Sequence, residues 1–189
     1  MSNDQRTRNI AHWDSDEAET LAETRIFRLV RKRAVSPNDP ARNGEFVVVE
    51  SPDWVNVIAL TDENRVVLIE QFRHGTEEIT VEIPGGTIDP GEEPLAAGLR
   101  ELREETGYGG GSAELIGAVT PNPAMMDNTC HTVLVRGIEL RGKPHLDGLE
   151  EIRTRLAPLA DVPDMIRDGT ITHALVIAAF HFLDLHETS

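Results

Sequence analysis

The sequence predicts an α+β protein in which helices cover a mixed sheet, and three observations carry that prediction. Short β-branched runs follow closely on one another through FVVVE, VNVIAL and RVVLIEQF, the mark of adjacent, largely antiparallel strands. At PLAAGLRELREETG the apolar period changes from 2 to 3.6, and two further helical segments close the chain. With 189 residues, 39% of them hydrophobic and 27% charged, the chain suits one domain with an ordinary core.

Taken in order, residues 1–20 are polar and without a usable period, which predicts a mobile acidic arm in which only Trp13 is suited to dock. Residues 21–189 are expected to form a single domain. TRIFRLVRKRAV alternates like a strand, SPNDPARNG reads as a loop, and TDEN joins the next two strands as a turn. The helix that follows has Pro94 near its first position and Gly107 as its stop. Strands are expected at AELIGAV, HTVLVRGIEL and IRTRLAPL. The closing helices are DVPDMIRDG, with Asp161 as N-cap, and THALVIAAFHFLDLH, with Thr172 in that role.

A net charge of −15 argues against nucleic acid or an anionic membrane as partner, since both need clustered Lys and Arg. It leaves room for a small phosphate ligand, because a divalent cation held by carboxylates supplies positive charge locally. One cysteine, Cys130, makes no internal disulfide, and no Cys/His cluster has zinc spacing, which fits a reducing interior. There is no signal-peptide pattern, and the longest apolar run, from Ala174 to Leu185, is interrupted by His181 and Asp184 and is too short for a bilayer. A soluble, cytoplasmic protein is expected.

Helical spacing puts Leu95, Leu99, Leu102 and Thr106 in one stripe fit for burial and Glu101, Glu104 and Glu105 on the other side. Alone, E-x-x-E-E is an ordinary solvated face. Its surroundings point elsewhere. Gly85 and Gly86 let backbone pass close to a ligand, and Pro90-Gly91 forces a turn. Ala97 and Gly98 leave room one turn before the acids, Gly98 at a loss of helix propensity with no structural gain visible in the sequence. Arg100 stands four residues before Glu104. Three carboxylates related by i, i+3 and i+4 suit hard cations, which prefer oxygen.

The segment GGTIDPGEEPLAAGLRELREETGY resembles the Nudix box, with Gly86, Glu92, Arg100, Glu101, Leu102, Glu104, Glu105 and Gly107 at its fixed positions and Tyr108 in its last apolar one. The resemblance implies an α/β/α sandwich with an N-terminal β extension. It further implies Mg²⁺, or Mn²⁺, bound by Glu101, Glu104 and Glu105 with the backbone carbonyl of Gly85, Glu104 and Glu105 being counted also as catalytic. Gly86, Glu92 and Arg100 become orienters of the loop and helix. The implied activity is hydrolysis of a nucleoside diphosphate linked to another moiety.

Outside the box, PDWVNVIAL, LIEQFRHG and EIPGGTID resemble ADP-ribose and nucleoside-diphosphate-sugar pyrophosphatases, as does Pro123, while NPAMMDNTCH looks closer to the sugar hydrolases. That branch often takes a general base from a loop glutamate about 45 residues past the metal helix, where LDGLEEI offers Glu150 and Glu151. Arg73 and Arg33 are candidate substrate contacts, and Trp54 and Phe27 candidates for stacking on a base, although aromatics in strands are more often core. His131 and His173 are read as structural. Such enzymes are commonly homodimers, and residues 21–50 are the candidate dimerisation element. Hydrolysis of a dinucleoside polyphosphate or oxidised nucleotide, and binding of an ADP-ribose-type ligand without cleavage, are the alternatives.

Overall fold

Residues 10–188 are described by a computed structural model, and their contacts sort into two compact units, one of 10–51 with 122–127 and one of 52–121 with 128–188. The break between the units falls at Ser51–Pro52, close to the boundary expected between strands 21–50 and the rest of the chain.

The N-terminal unit is a four-stranded antiparallel sheet built on one strand. β1 (Asp14–Ser15) and β2 (Glu19–Glu23) share one edge of β3 (Arg28–Ser36), and β4 (Asp39–Glu50) pairs with the other. Strand structure therefore begins at Asp14, within the stretch expected to be a mobile arm; residues 1–9 lie outside the described residues. Trp13 docks edge-on against Phe46, ring centroids 5.8 Å apart. The loop expected from Ser36 to Gly44 is corrected to a hairpin: the register runs Ser36↔Asp39 and then Val35↔Asn43, leaving residues 40–42 as a bulge. Its turn-type residues close that bulge locally, with Asp39 Oδ1 accepting from Ala41 N–H at 3.1 Å and Asn43 Nδ2 donating to Pro40 O at 3.0 Å. Along β3, Val30 and Ala34 are buried on the face that also carries Arg28 and Lys32, which pair with Glu50, while Arg31 on the other face pairs with Glu19.

In the second unit, period-2 alternation sorts the central strand into two hydrophobic faces. β5 (Trp54–Leu60) runs parallel to β11 (Cys130–Arg136) and antiparallel to β6 (Arg65–Arg73). The other members are β7 (Glu78–Glu82), β8 (Gly85–Thr87), β10 (Ser112–Val119) and β13 (Ile152–Pro158). The path is β10-β11-β5-β6-β13, with β7 on β6 and β8 on β5. The TDEN turn forms as expected, with Asn64 at φ 57°, a conformation Asn tolerates. A two-stranded ribbon pairs β9 (Tyr108–Gly109) with β12 (Glu139–Leu140).

On one face Val55, Val57, Ala59, Val133 and Val135 pack with Ala97 and Leu102 of α1 (Pro94–Thr106). On the other, Ile58, Leu60, Leu68 and Leu134 pack with Val162 of α2 (Val162–Arg167) and Val176, Ala179, Phe180 and Leu183 of α3 (Ala174–Glu187). This is the α/β/α sandwich with a mixed sheet. Asp161 occupies the cap position of α2 but its side chain makes no cap bond. The cap of α3 is His173, whose Nδ1 accepts from Leu175 N–H, and not Thr172. An imidazole acceptor reaches the second amide of the helix as a Ser or Thr hydroxyl would.

Candidate active site

Packing fixes the rotation of α1, and that rotation departs from the simple helical wheel. Leu95 is 36% exposed, whereas Ala97, Gly98, Leu102, Glu105 and Thr106 are buried. Gly98 is the reason. A Cβ there would sit 3.1–3.2 Å from methyls of Val133, Val55 and Val57, so the glycine lets the helix lie directly on the strands. The structural gain missing from the sequence is this close approach, and it turns Glu105 toward the sheet.

Glu105 is 5% exposed, and its Oε2 accepts the Gly85 N–H at 2.9 Å. Burial pushes its carboxyl up to about 8, opposed by the Gly85 hydrogen bond and assisted by Glu101 and Glu150. Glu101 is also held above the usual carboxylate range by burial, against the pull of Arg100. Its carboxylate lies where a Cβ on Gly86 would stand, so the glycine leaves the carboxylate that place. Glu104 is more open, with a side chain 39% exposed.

Arg100 ties these acids to the preceding loop. Its Nε and Nη2 donate to the two oxygens of Glu92 at 3.0 and 2.8 Å, Nη2 also to Thr87 O at 3.0 Å, and Nη1 to Glu101 at 2.7 Å and Glu104 at 3.3 Å. Glu92 Oε2 in turn accepts the Asp89 N–H at 3.2 Å. One guanidinium therefore fixes the loop, the helix and two of the three acids.

The loop carrying Glu150 and Glu151 is anchored on the same helix. Arg141 and Gly142 donate backbone N–H groups to Gly107 O at 2.8 and 3.2 Å, and His145 donates to Glu104 O at 2.7 Å, satisfying carbonyls that α1 leaves unpaired at its end. Gly107 closes the helix at φ 74°, and a Cβ on it would strike the carbonyl of Gly142. Farther along, Glu150 Oε2 accepts the Asp147 N–H at 2.9 Å, and its charge acts on both Glu101 and Glu105. Glu151 is exposed.

The remaining candidates divide. Arg73 is held by a buried acid that the sequence reading missed: its Nε and Nη2 donate to Glu82 at 2.7 and 2.6 Å, and Thr80 Oγ1 donates to the same carboxylate at 2.6 Å. Arg73 and Glu105 act on one another electrostatically. The available signal was an acid at an inward position within ITVEI. Trp54 lies one residue before Val55 on β5, so strand alternation puts it with Asn56, whose Nδ2 donates to Leu175 O of α3, and away from the α1 face. Arg33 and Phe27 belong to the N-terminal unit, where Arg33 faces Glu45 at 3.9 Å.

All-oxygen donors, one of them buried beyond what its single hydrogen bond offsets, fit a hard divalent cation. Among the described residues no group of three or more Glu, Asp, His or Cys side chains is placed to hold a metal ion as they stand; Arg100 spans Glu101 and Glu104, while Glu105 faces Gly85.

The NUDIX domain matches residues 50–180 of this chain, including every residue of the box. The protein belongs to the NUDIX family. Divalent-metal dependence is general among NUDIX hydrolases. This NUDIX chain is 33% identical over 177 residues to an ADP-ribose pyrophosphatase of Bacillus subtilis, covering 90% of this chain and 95% of the relative. It is 31% identical over 174 residues to a methanol dehydrogenase activator of Bacillus methanolicus, covering 90% and 92%. A solved structure of an ADP compounds hydrolase shares the fold, with a TM-score of 0.82 over 94% of this chain and 95% of that one at 22% identity. No described helix is long and apolar enough to cross a membrane.

Proposed function

We propose that the protein hydrolyses ADP-ribose or a nucleoside diphosphate sugar, water cleaving the P–O–P linkage to give a nucleoside monophosphate and a sugar phosphate. The observation that carries this reading is the buried Glu105, with Glu101 and Glu104, beside Gly85–Gly86 in a NUDIX chain whose full-length relative in Bacillus subtilis is an ADP-ribose pyrophosphatase. Glu101, Glu104, Glu105 and the Gly85 carbonyl are the proposed holders of Mg²⁺, with Mn²⁺ as a substitute. A divalent cation bound there supplies charge neutralisation for the diphosphate and acidifies water.

The chain's own groups do the rest. Arg100, fixed by Glu92, keeps Glu101 and Glu104 in register with the loop, and the Gly85 N–H holds Glu105. Glu150 is the proposed base for the attacking water in preference to Glu151, supported by its electrostatic reach to Glu101 and Glu105. Arg73 is proposed as a cation facing the diphosphate beside Glu105. The N-terminal unit, with Leu21 and Ile26 at and after β2 and Phe46 and Val47 on β4 between 44% and 57% exposed, is proposed as a homodimer interface, testable by analytical ultracentrifugation. A reducing, cytoplasmic compartment is proposed from the buried free thiol of Cys130, and neither nucleic acid nor membrane is a proposed partner.

The deciding experiment assays ADP-ribose, nucleoside diphosphate sugars, dinucleoside polyphosphates and nucleoside triphosphates with Mg²⁺. Turnover of the first two classes is expected; turnover confined to triphosphates would sink the assignment.

A further inference from the structure

We infer, on the reading of the reaction proposed above, that Glu82 is a positioning residue for substrate. With Thr80 it draws the Arg73 guanidinium back along the sheet and fixes the remaining edge of that fork for the diphosphate.

Arg73 stands directly opposite Glu78 across the hairpin, Gln71 opposite Thr80 and Ile69 opposite Glu82. Opposite charges facing one another across a strand pair ordinarily meet, so Glu78 is the partner that Arg73 has nearest to hand. The Arg73 fork passes Glu78 and Thr80 and closes on Glu82 instead, with Nε at 2.7 Å and Nη2 at 2.6 Å. Strand alternation decides where this takes the charge. Val67 of β6 packs with α1, whereas Val81 and Ile83 of β7 pack with α2 and α3, so Arg73, Thr80 and Glu82 lie on the face that α1 covers. The guanidinium is thereby carried from the exposed hairpin end toward Glu105, and the two act on one another electrostatically.

Glu82 is 3% exposed, while the Arg73 side chain remains 44% exposed. Thr80 Oγ1 donates at 2.6 Å to the same Glu82 oxygen that accepts Arg73 Nε, so the carboxylate is held from two sides. Arg73 Nη1 takes no partner among the described residues, and it is the edge left for a phosphate oxygen. A buried acid–arginine pair is a poor device for stability alone, since apolar residues of like volume hold a fold as well. What this pair supplies, and an apolar one does not, is a guanidinium whose rotamer freedom is already lost before substrate arrives.

The test is a double-mutant cycle in steady-state kinetics with saturating Mg²⁺, run on the best substrate of the panel above. Glu82→Gln is expected to raise KM by about tenfold, the effect of one charged hydrogen bond, with kcat changed by less than about threefold. Arg73→Ala should raise KM at least as much, and adding Glu82→Gln to it should bring no further loss, because Glu82 acts only through Arg73. Added guanidinium ion, far below denaturing concentration, should restore KM in Arg73→Ala and leave the double variant unchanged. A merely structural Glu82 would lower stability without that dependence. Thr80→Val removes one donor to the carboxylate and should raise KM by roughly threefold, which keeps the test alive if Glu82→Gln does not fold. The parent's rates decide the substrate class; the variants decide the role of Glu82 on whichever substrate that is. An unchanged KM in whichever of Glu82→Gln and Thr80→Val folds, or losses from Glu82→Gln and Arg73→Ala that multiply in the double variant, would overturn the proposal.

Discussion

Glu82 and Glu105 are two carboxylates of one unit, 3% and 5% exposed, and they are displaced in opposite directions. Burial raises both. For Glu82 that rise is more than offset by the Arg73 fork and the Thr80 hydroxyl, and its carboxyl falls below the usual range. Glu105 has one backbone N–H, with two further acids acting on it, and rises to about 8. The difference separates a finished ion pair from an unfinished one: the region around β7 carries its own cation, whereas Glu105 of α1 has none within ion-pairing distance among the described residues, which supports the proposal that a cation from solution binds there.

The comparison breaks most severely at Glu105. Glu105→Gln is expected to lower kcat on ADP-ribose by roughly 10³-fold, about 4 kcal/mol of lost charge stabilisation, while leaving the metal-free fold intact. Glu150→Gln should cost about 10²-fold, the lower range for a general base, and Glu151→Gln under threefold; equal effects of the two would remove the assignment of the base. On the finished side, Glu82→Gln should destabilise by about 2 kcal/mol in urea denaturation, below the figure for a fully buried pair because Arg73 is 44% exposed and regains water.

The smallest effect sharpens the comparison through pH. Glu105's folded value, about 8, lies above its unfolded value of 4.5, so between those limits the folded chain binds more protons than the unfolded one. Stability of the EDTA-treated protein should therefore be greatest near pH 5 and fall as pH rises toward 8, by on the order of a few kcal/mol at most. Glu105→Gln should flatten that fall, and saturating Mg²⁺ should do the same to the parent. A parent curve that matches the variant without metal would mean that Glu105 is not desolvated.

The box was legible because its spacing is rigid: Gly86, Glu92, Arg100 and the three acids fall on one turn and one helix, where Arg100 joins Glu92 to Glu101 and Glu104 and the Gly85 N–H holds Glu105. The layers were legible from the change of period at Pro94 and from the β-branched runs. The rotation of α1 was not, since it is set by methyls of Val55, Val57 and Val133, distant in sequence from Gly98. Nor was the pairing of Arg73, since its partner Glu82 is fixed by the register Arg73↔Glu78 of a hairpin rather than by any motif. Ser36–Gly44 was misread because Pro, Asn and Asp mark bulges as readily as loops.

The seam that joins Arg141, Gly142 and His145 to the end of α1 also bears on how the chain tolerates change in length. Everything up to His145 is stitched to the helix, so an insertion there would uncap it. The four residues from Leu146 to Leu149 lie between that seam and Glu150, and Leu149 is 94% exposed. Lengthening or shortening this span would change how far Glu150 reaches while the helix and its acids keep their places, which makes it the segment through which reach and substrate size can be tuned independently of the box.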